Sequence, residues 1–257
     1  MRGLWKIVGL SCCIALAANC GGPSDSPPGP LGNHFDDMYI AAIPLDQKKA
    51  IVDTQQQWSI AKMENATAEA QFNESTTQLG VAQNELKSTQ LTVSSAVSQK
   101  KSADASADTN RINQAVKELH TAEDLQKAAQ ARVKYLDTYR NYLKRYRRYT
   151  QENMYNQEAR YEQAKAQIAK QNNIAPKGVS YESFPKQIDE RGSRTASAKE
   201  KAEADKVHTV AARDEWLKIQ DQADKESGKP SQLWDPMAPR PAPAATATNG
   251  SAPPANP

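Results

Sequence analysis

Residues 51–96 read IVDTQQQWSIAKMENATAEAQFNESTTQLGVAQNELKSTQLTVSSA. Within them Ile51, Trp58, Asn65, Phe72, Leu79, Leu86 and Val93 stand seven residues apart. Thr54, Ala61, Ala68, Ser75, Ala82, Thr89 and Ala96 keep the same period three positions later. A seven-residue period with bulky residues at one core position and small ones at the other is a coiled-coil heptad. The surrounding stretch, residues 45–175, holds no proline and a single glycine, Gly80. Asn73–Thr77 and Gly80 resemble a turn locally, but the heptad passes through them without a change of phase. One continuous helix to about Gln99 is therefore expected, although glycine costs about 1 kcal/mol relative to alanine.

The pattern lapses from Lys100 to Asn110, where several N-cap residues and no large apolar side chain occur. This is the expected hairpin tip, near 100–110. Beyond it a second stripe runs through Ile112, Ala115, Leu119, Ala122, Gln126, Ala129, Val133, Leu136, Arg140, Leu143, Arg147, Thr150, Met154, Gln157, Tyr161, Ala164 and Ile168. A fold-back at about residue 104 opposes residues whose numbers add to about 208 and sets large side chains against small ones, with Arg147 over Ala61. A slip of one heptad satisfies much of the same pattern. A single unbroken helix that pairs with other copies is the alternative to the hairpin.

The second helix is expected to end near Asn172 and Asn173, ahead of Pro176 and Gly178. A loop over 174–194 follows, with Ile174, Val179, Tyr181, Phe184 and Ile188 able to lie against the base of the bundle. A third helix is expected over 195–226, with Val207, Val210, Ala211 and Leu217 as its apolar stripe. The fold class is thus all-α: an extended antiparallel coiled-coil hairpin over 45–173, with a third, shorter helix at its base.

Both ends differ in composition from the middle. Residues 21–33 are rich in Pro, Gly and Ser and read as a disordered linker within 20–44. Phe35–Ile43 forms an apolar patch that either caps the bundle base or belongs to the tether. From 227 to 257 the chain is Pro- and Ala-rich and reads as a disordered tail. Within it Gln232–Met237 is either a short docking peptide or a last turn packed on the third helix.

Residues 1–19 combine a basic start, Met1–Lys6, with the apolar run Ile7–Ala18, the form of an export signal. Leu16-Ala17-Ala18-Asn19-Cys20-Gly21 resembles the lipobox of bacterial lipoproteins, although Asn19 departs from the small residue preferred before the cysteine. The resemblance implies acylation of Cys20, palmitate among its chains, and a membrane anchor. Because no aspartate follows Cys20, it implies the outer membrane, facing the periplasm. Cys12 and Cys13 fall inside the signal, so Cys20 would be the one cysteine of the mature chain. That suits lipidation better than redox or metal chemistry.

The whole chain carries a formal charge of +3, and loss of Arg2 and Lys6 with the signal leaves +1. Nucleic acid is disfavoured as a partner. His34, His120 and His208 are scattered without metal-ligand spacing, and no phosphate loop or nucleophile motif occurs. No cofactor, no metal and no enzymatic activity are expected.

One constellation stands out. Tyr135, Tyr139, Tyr142, Tyr146 and Tyr149 recur at spacings of four and three, placing them within one helical arc. Arg132, Lys134, Arg140, Lys144, Arg145, Arg147 and Arg148 accompany them against one acid, Asp137, so the segment carries +6. Tyr and Arg are enriched where proteins bind one another. The five tyrosines with Arg145 and Arg148 form the candidate partner surface, and cover by the third helix is the structural alternative.

These features point to a structural role, as spacer, tether or scaffold in the cell envelope. An accessory subunit of an envelope machine, docking through the Tyr/Arg arc, and a periplasmic holdase chaperone are the alternatives. Expected partners are the membrane through Cys20 and other proteins or further copies through the coiled coil. Peptidoglycan or another anionic polymer completes the set.

Overall fold

A computed structural model describes residues 27–231 and 233–238. The signal and Cys20, and the tail from 239 onward, lie outside the described residues. Among the described residues there are three long helices and no strands: α1 (Lys49–Ala105), α2 (Thr109–Gln171) and α3 (Ser183–Ser227). The all-α architecture is the one the heptads imply. No helix among them is long and apolar enough to cross a membrane.

Gly80 and Asn73–Thr77 lie inside α1 without interruption. The helix ends at Ala105, and Ala107 takes a left-handed backbone (φ 53°) that turns the chain. Asp108 then caps α2, its Oδ1 accepting from the backbone N–H groups of Asn110 (2.9 Å) and Arg111 (3.3 Å). At the other end of α2, Asn173 adopts φ 56° while the Ile174 N–H donates to the Ala169 carbonyl (3.0 Å), which closes the last turn.

The loop expected over 174–194 is shorter than that. Ser183 starts α3 twelve residues before the expected Thr195, so only the residues between Gln171 and Ser183 connect the helices. Pro185 sits in the first turn of α3, where its missing N–H costs no helical hydrogen bond. Gly192 lies within the helix with open space around it.

The chain forms two compact units. The first contains the chain up to Leu86 together with Arg132–Asp214, and the second contains Lys87–Ala131 and the chain from Glu215 onward. In the first unit α1 and α2 run antiparallel. Arg132 pairs with Glu85, Arg147 with Glu69 (3.7 Å), and the Thr150 hydroxyl donates to Asn65 Oδ1 (3.2 Å). Trp58 stacks on Tyr161 with centroids 5.5 Å apart. These opposed numbers add to between 215 and 219 rather than about 208. The register is thus displaced by about one heptad, because α1 continues to Ala105 and the chain folds back near residue 107. Arg147 consequently lies over the Phe72 ring, 4.6 Å from its centroid, where Ala61 was expected.

Most small heptad positions of α1 are deep. Ala61, Ala68, Ser75, Ala82 and Ala96 are buried, whereas of the bulky ones Ile51 and Leu79 are buried and Trp58, Asn65, Phe72 and Leu86 are only half-buried. Small side chains let the helices approach, and the bulky ones then cover the flanks of the seam.

The base of the first unit is its one apolar cluster among the described residues. Phe35, Ile40, Ile43, Ile51, Ala164, Ile168 and Phe184 form it, with Tyr39, Ile174, Val179 and Tyr181 against it. The patch Phe35–Ile43 therefore caps the bundle and is not free tether. Asp36 caps a 3-10 turn, Asp37–Ile40, by accepting from Met38 N–H (2.8 Å). The segment before it is held too: Asn33 N–H donates to Gln187 Oε1 (2.9 Å), and Arg191 Nη2 donates to the Gly29 and Pro30 carbonyls (3.1 and 3.2 Å). Hence the described part of the expected linker, from Pro27, is docked on α2 and α3.

Along α3 the expected stripe is on the wrong face. Val207, Val210 and Leu217 are exposed, and the buried line is Ala198, Ala202, Thr209, Ala212, Trp216 and Ala223. In the first unit α3 runs antiparallel to α2, with Thr209 Oγ1 donating to the Thr138 carbonyl (3.1 Å) and Arg194 meeting Glu152 (2.9 Å). Apart from Trp216 the buried line is of small residues, which permit close approach of the helices.

In the second unit, Asp224 accepts from both the N–H and the hydroxyl of Ser231 (2.9 Å each), folding the chain back after Gly228 (φ 67°). Burial pulls the Asp224 carboxyl up, but these bonds and one from Gln220 outweigh it and hold the group below its ordinary value. Asp235 is buried and caps a turn at Met237, while Trp234 is 40% exposed.

Candidate functional site

The tyrosine arc is a continuous ladder on α2. Successive ring centroids from Tyr135 to Tyr139, Tyr142, Tyr146 and Tyr149 lie 5.9–6.3 Å apart at tilted angles. Such offset ring pairs are favourable contacts beyond their buried area. Tyr135 is fully buried, so it presents nothing to a partner, and the other four are half-buried.

Arg145 and Arg148 do not share that face. At about 100° per residue they stand about 60° and 120° round α2 from Tyr142. The structure binds each to an acid: Arg145 Nε lies 3.7 Å from Asp205 of α3, and Arg148 Nη2 lies 2.6 Å from Glu152. Thr138 and Glu152, the α2 residues bonded to α3, lie about 40° and 80° round from Tyr142 on the same side. The single Tyr/Arg surface read from the sequence is thus two surfaces, with α3 seated between the ladder and Arg148.

Burial, then the charges of Tyr146, Glu203 and Tyr139, push the Tyr142 phenol up to about 12. Tyr146 is raised by burial and by Glu64 of α1, Tyr149 and Glu203 of α3, which places an acid from each neighbouring helix near this ladder. A phenol with a raised folded pKa holds its proton more tightly when folded. Its stabilisation is whole below about pH 10 and is lost as pH climbs through about 12. Alkaline titration followed by phenolate absorbance and circular dichroism is expected to show a late-ionising group and helix loss between pH 10 and 12. Tyr142→Phe is expected to remove part of that loss. Ionisation of all nine tyrosines in one step near pH 10 would contradict it.

The first apolar stripe of α2 does not point to the buried charges. Glu152 is 2% exposed and accepts from Arg148 Nη2 (2.6 Å), Arg194 Nε (3.1 Å) and Arg194 Nη2 (2.9 Å). Lys165, 5% exposed, bonds Glu162 and Asp37 at 2.9 Å each, and Glu162 also accepts the Phe35 N–H (2.6 Å). Burial pulls the Lys165 ammonium down, yet its two carboxylate partners outweigh that and hold it above the ordinary lysine value. These groups fix α3 and the N-terminal segment to α2. The detectable signal was a second period on α2, through Ala128, Ala131, Tyr135, Glu152, Asn156, Ala159 and Ala166, offset from the first stripe.

Among the described residues no three His, Cys, Asp or Glu side chains converge as they would to hold a metal ion. Fold and side chains together define an antiparallel three-helix assembly whose second interface is polar and charged. No protein-family model matches the chain, and no curated protein or solved structure matches it either.

Proposed function

We propose that this chain is a lipid-anchored lipoprotein of the bacterial envelope, on the periplasmic face of the outer membrane. Its helical body acts there as a structural spacer, tether or scaffold. The observation that carries this reading is the docking of residues 27–43 along α2 and α3. Seven Cα steps separate Cys20 from Pro27, a reach of at most about 25 Å. An acylated Cys20 would therefore hold the body close to the bilayer instead of letting it roam on a long linker. A fixed stand-off suits a scaffold.

The test is labelling with a palmitate analogue in a bacterial host. Label and membrane fractionation are expected in the wild type and absent in Cys20→Ser. Equal labelling of the two, or none in the wild type, would reject the anchor.

The half-buried phenols of Tyr139, Tyr142, Tyr146 and Tyr149 support a second reading, an accessory subunit that docks a protein partner on the ladder. In-cell crosslinking that finds neighbours mapped to this ladder would favour it over a passive spacer.

A further inference from the structure

On the arginine side of α3 the first unit holds a cavity of about 600 Å³, lined by Thr138, Asn141, Lys144, Arg145, Arg148 and Gln151 of α2 and by Asp205 and His208 of α3. Arg147 and Pro27 complete the lining. Lys144, Arg145, Arg147 and Arg148 line it with one acid, Asp205; Arg145 pairs with Asp205 (3.7 Å), Arg147 with Glu69 (3.7 Å) and Arg148 with Glu152 (2.6 Å). Lys144 and His208 are exposed and have no ion-pair partner among the described residues. A recess whose lining carries more cations than acids concentrates anions, and guanidinium groups match the oxygens of a phosphate. Thr138, Asn141 and Gln151 supply neutral polar groups, and the volume lies within the range of small-molecule sites.

Pro27 ties this recess to the anchor. It lies on the lining and is within seven chain steps of Cys20, so the reach to an acyl chain is at most about 25 Å. An anchored body would therefore carry the recess to the charged surface of its own membrane.

We propose that this α2–α3 cleft binds the phosphate of an anionic lipid headgroup, orienting the anchored body on the membrane. The proposal rests on the lipoprotein reading for its source of phosphate. A recess bounded by two helices and Pro27 fits a single headgroup better than a continuous polymer.

The test uses residues 20–257 carrying Cys20→Ser, which lack the export signal and bear no acyl group at that position, in flotation with neutral phosphatidylcholine vesicles and with vesicles that also contain phosphatidylglycerol. Binding to the anionic vesicles is expected to exceed binding to the neutral ones by about tenfold, and Lys144→Glu/His208→Glu is expected to abolish that preference. Lys87→Glu/Lys101→Glu, exposed positions of the other unit whose reversal changes net charge at least as much, are expected to retain it. Equal binding to both vesicles would overturn the proposal, and so would equal losses in the two double variants. Inorganic pyrophosphate is the remaining probe: if it binds the wild type and not Lys144→Glu/His208→Glu while no vesicle preference exists, the site is one for free phosphate and the headgroup assignment falls. Circular dichroism of each variant shows whether it has folded. Palmitate labelling decides the anchor independently of the vesicle result, so the failure of one reading is distinguishable from the failure of the other.

Discussion

Replacing Glu152 by alanine is expected to destabilise the protein by about 3 kcal/mol, since removing one partner of a buried ion pair leaves an uncompensated charge. Glu152 is 2% exposed, while Arg148 and Arg194 are 18% and 23% exposed. The residual access of the two guanidinium groups to water keeps the loss at the lower end of the range for buried pairs. Glu152→Gln retains an acceptor for Arg194 and is expected to lose about half as much, because bonds to a neutral acceptor are weaker than charge-assisted ones. Urea unfolding by circular dichroism measures both. A loss below about 1 kcal/mol in the alanine variant would place Glu152 with surface ion pairs and show that α3 does not depend on it.

Phe35→Ala is expected to cost about 3–4 kcal/mol, as for other buried aromatic truncations. Phe35 is 1% exposed and meets Tyr39 edge-on (5.9 Å, 66°), with Tyr181 and Phe184 each at 6.2 Å. The substitution leaves the backbone N–H that bonds Glu162 in place, so the effect reports packing alone. The site is peripheral, and the first consequence is local opening of residues 27–48 while the helices persist. Faster proteolysis before α1 with little change in helix signal, followed by a melting point lower by about 10 °C, is the expected pair of results. Unchanged proteolysis would mean that the segment is held by Asn33, Arg191 and Lys165 without the aromatic contact. The outcome also bears on anchoring, since a released segment would lengthen the link between Cys20 and the body.

Much of the architecture was legible because a heptad is a local code. Ile51 to Val93 and Ile112 to Ile168 each repeat a contact made within a few turns of helix, and the lapse at Lys100–Asn110 marks where the contact ceases. Register was not legible: opposing 208 or 216 changes which residues meet while large still faces small over much of the seam. The turn decided it, through Ala107 in a left-handed conformation and Asp108 as N-cap; several residues of the tip could have capped α2, and an alanine does not announce a left-handed backbone.

The candidate site was legible in part. Tyrosine spacing placed the ladder on one face, and the structure keeps it as a ladder. Arg145 and Arg148 were assigned to the same surface because they are neighbours in sequence, yet they bond Asp205 and Glu152 on the side where α3 lies. Glu152, Glu162 and Asp124 of α2 are of a residue type that on helices usually faces solvent. They are buried, at 2%, 5% and 5% exposure.

The sequence by itself determined the helical character of the two long segments and the stripe that joins α1 to α2, because apolar periodicity acts over one or two turns. Tertiary structure alone decided the path of α3, the docking of residues 27–43 and the partners of the buried charges. α3 leaves Val207, Val210 and Leu217 exposed and buries Ala198, Ala202 and Thr209 along with Trp216. The physical reason is that close helix approach favours small side chains, and a buried charge is tolerated only where an opposite charge meets it, which for Glu152 and Lys165 comes in part from another element. Glu152 and Arg194 stand 42 positions apart, and Lys165 and Asp37 stand 128 apart, so their pairing exists only in the folded chain.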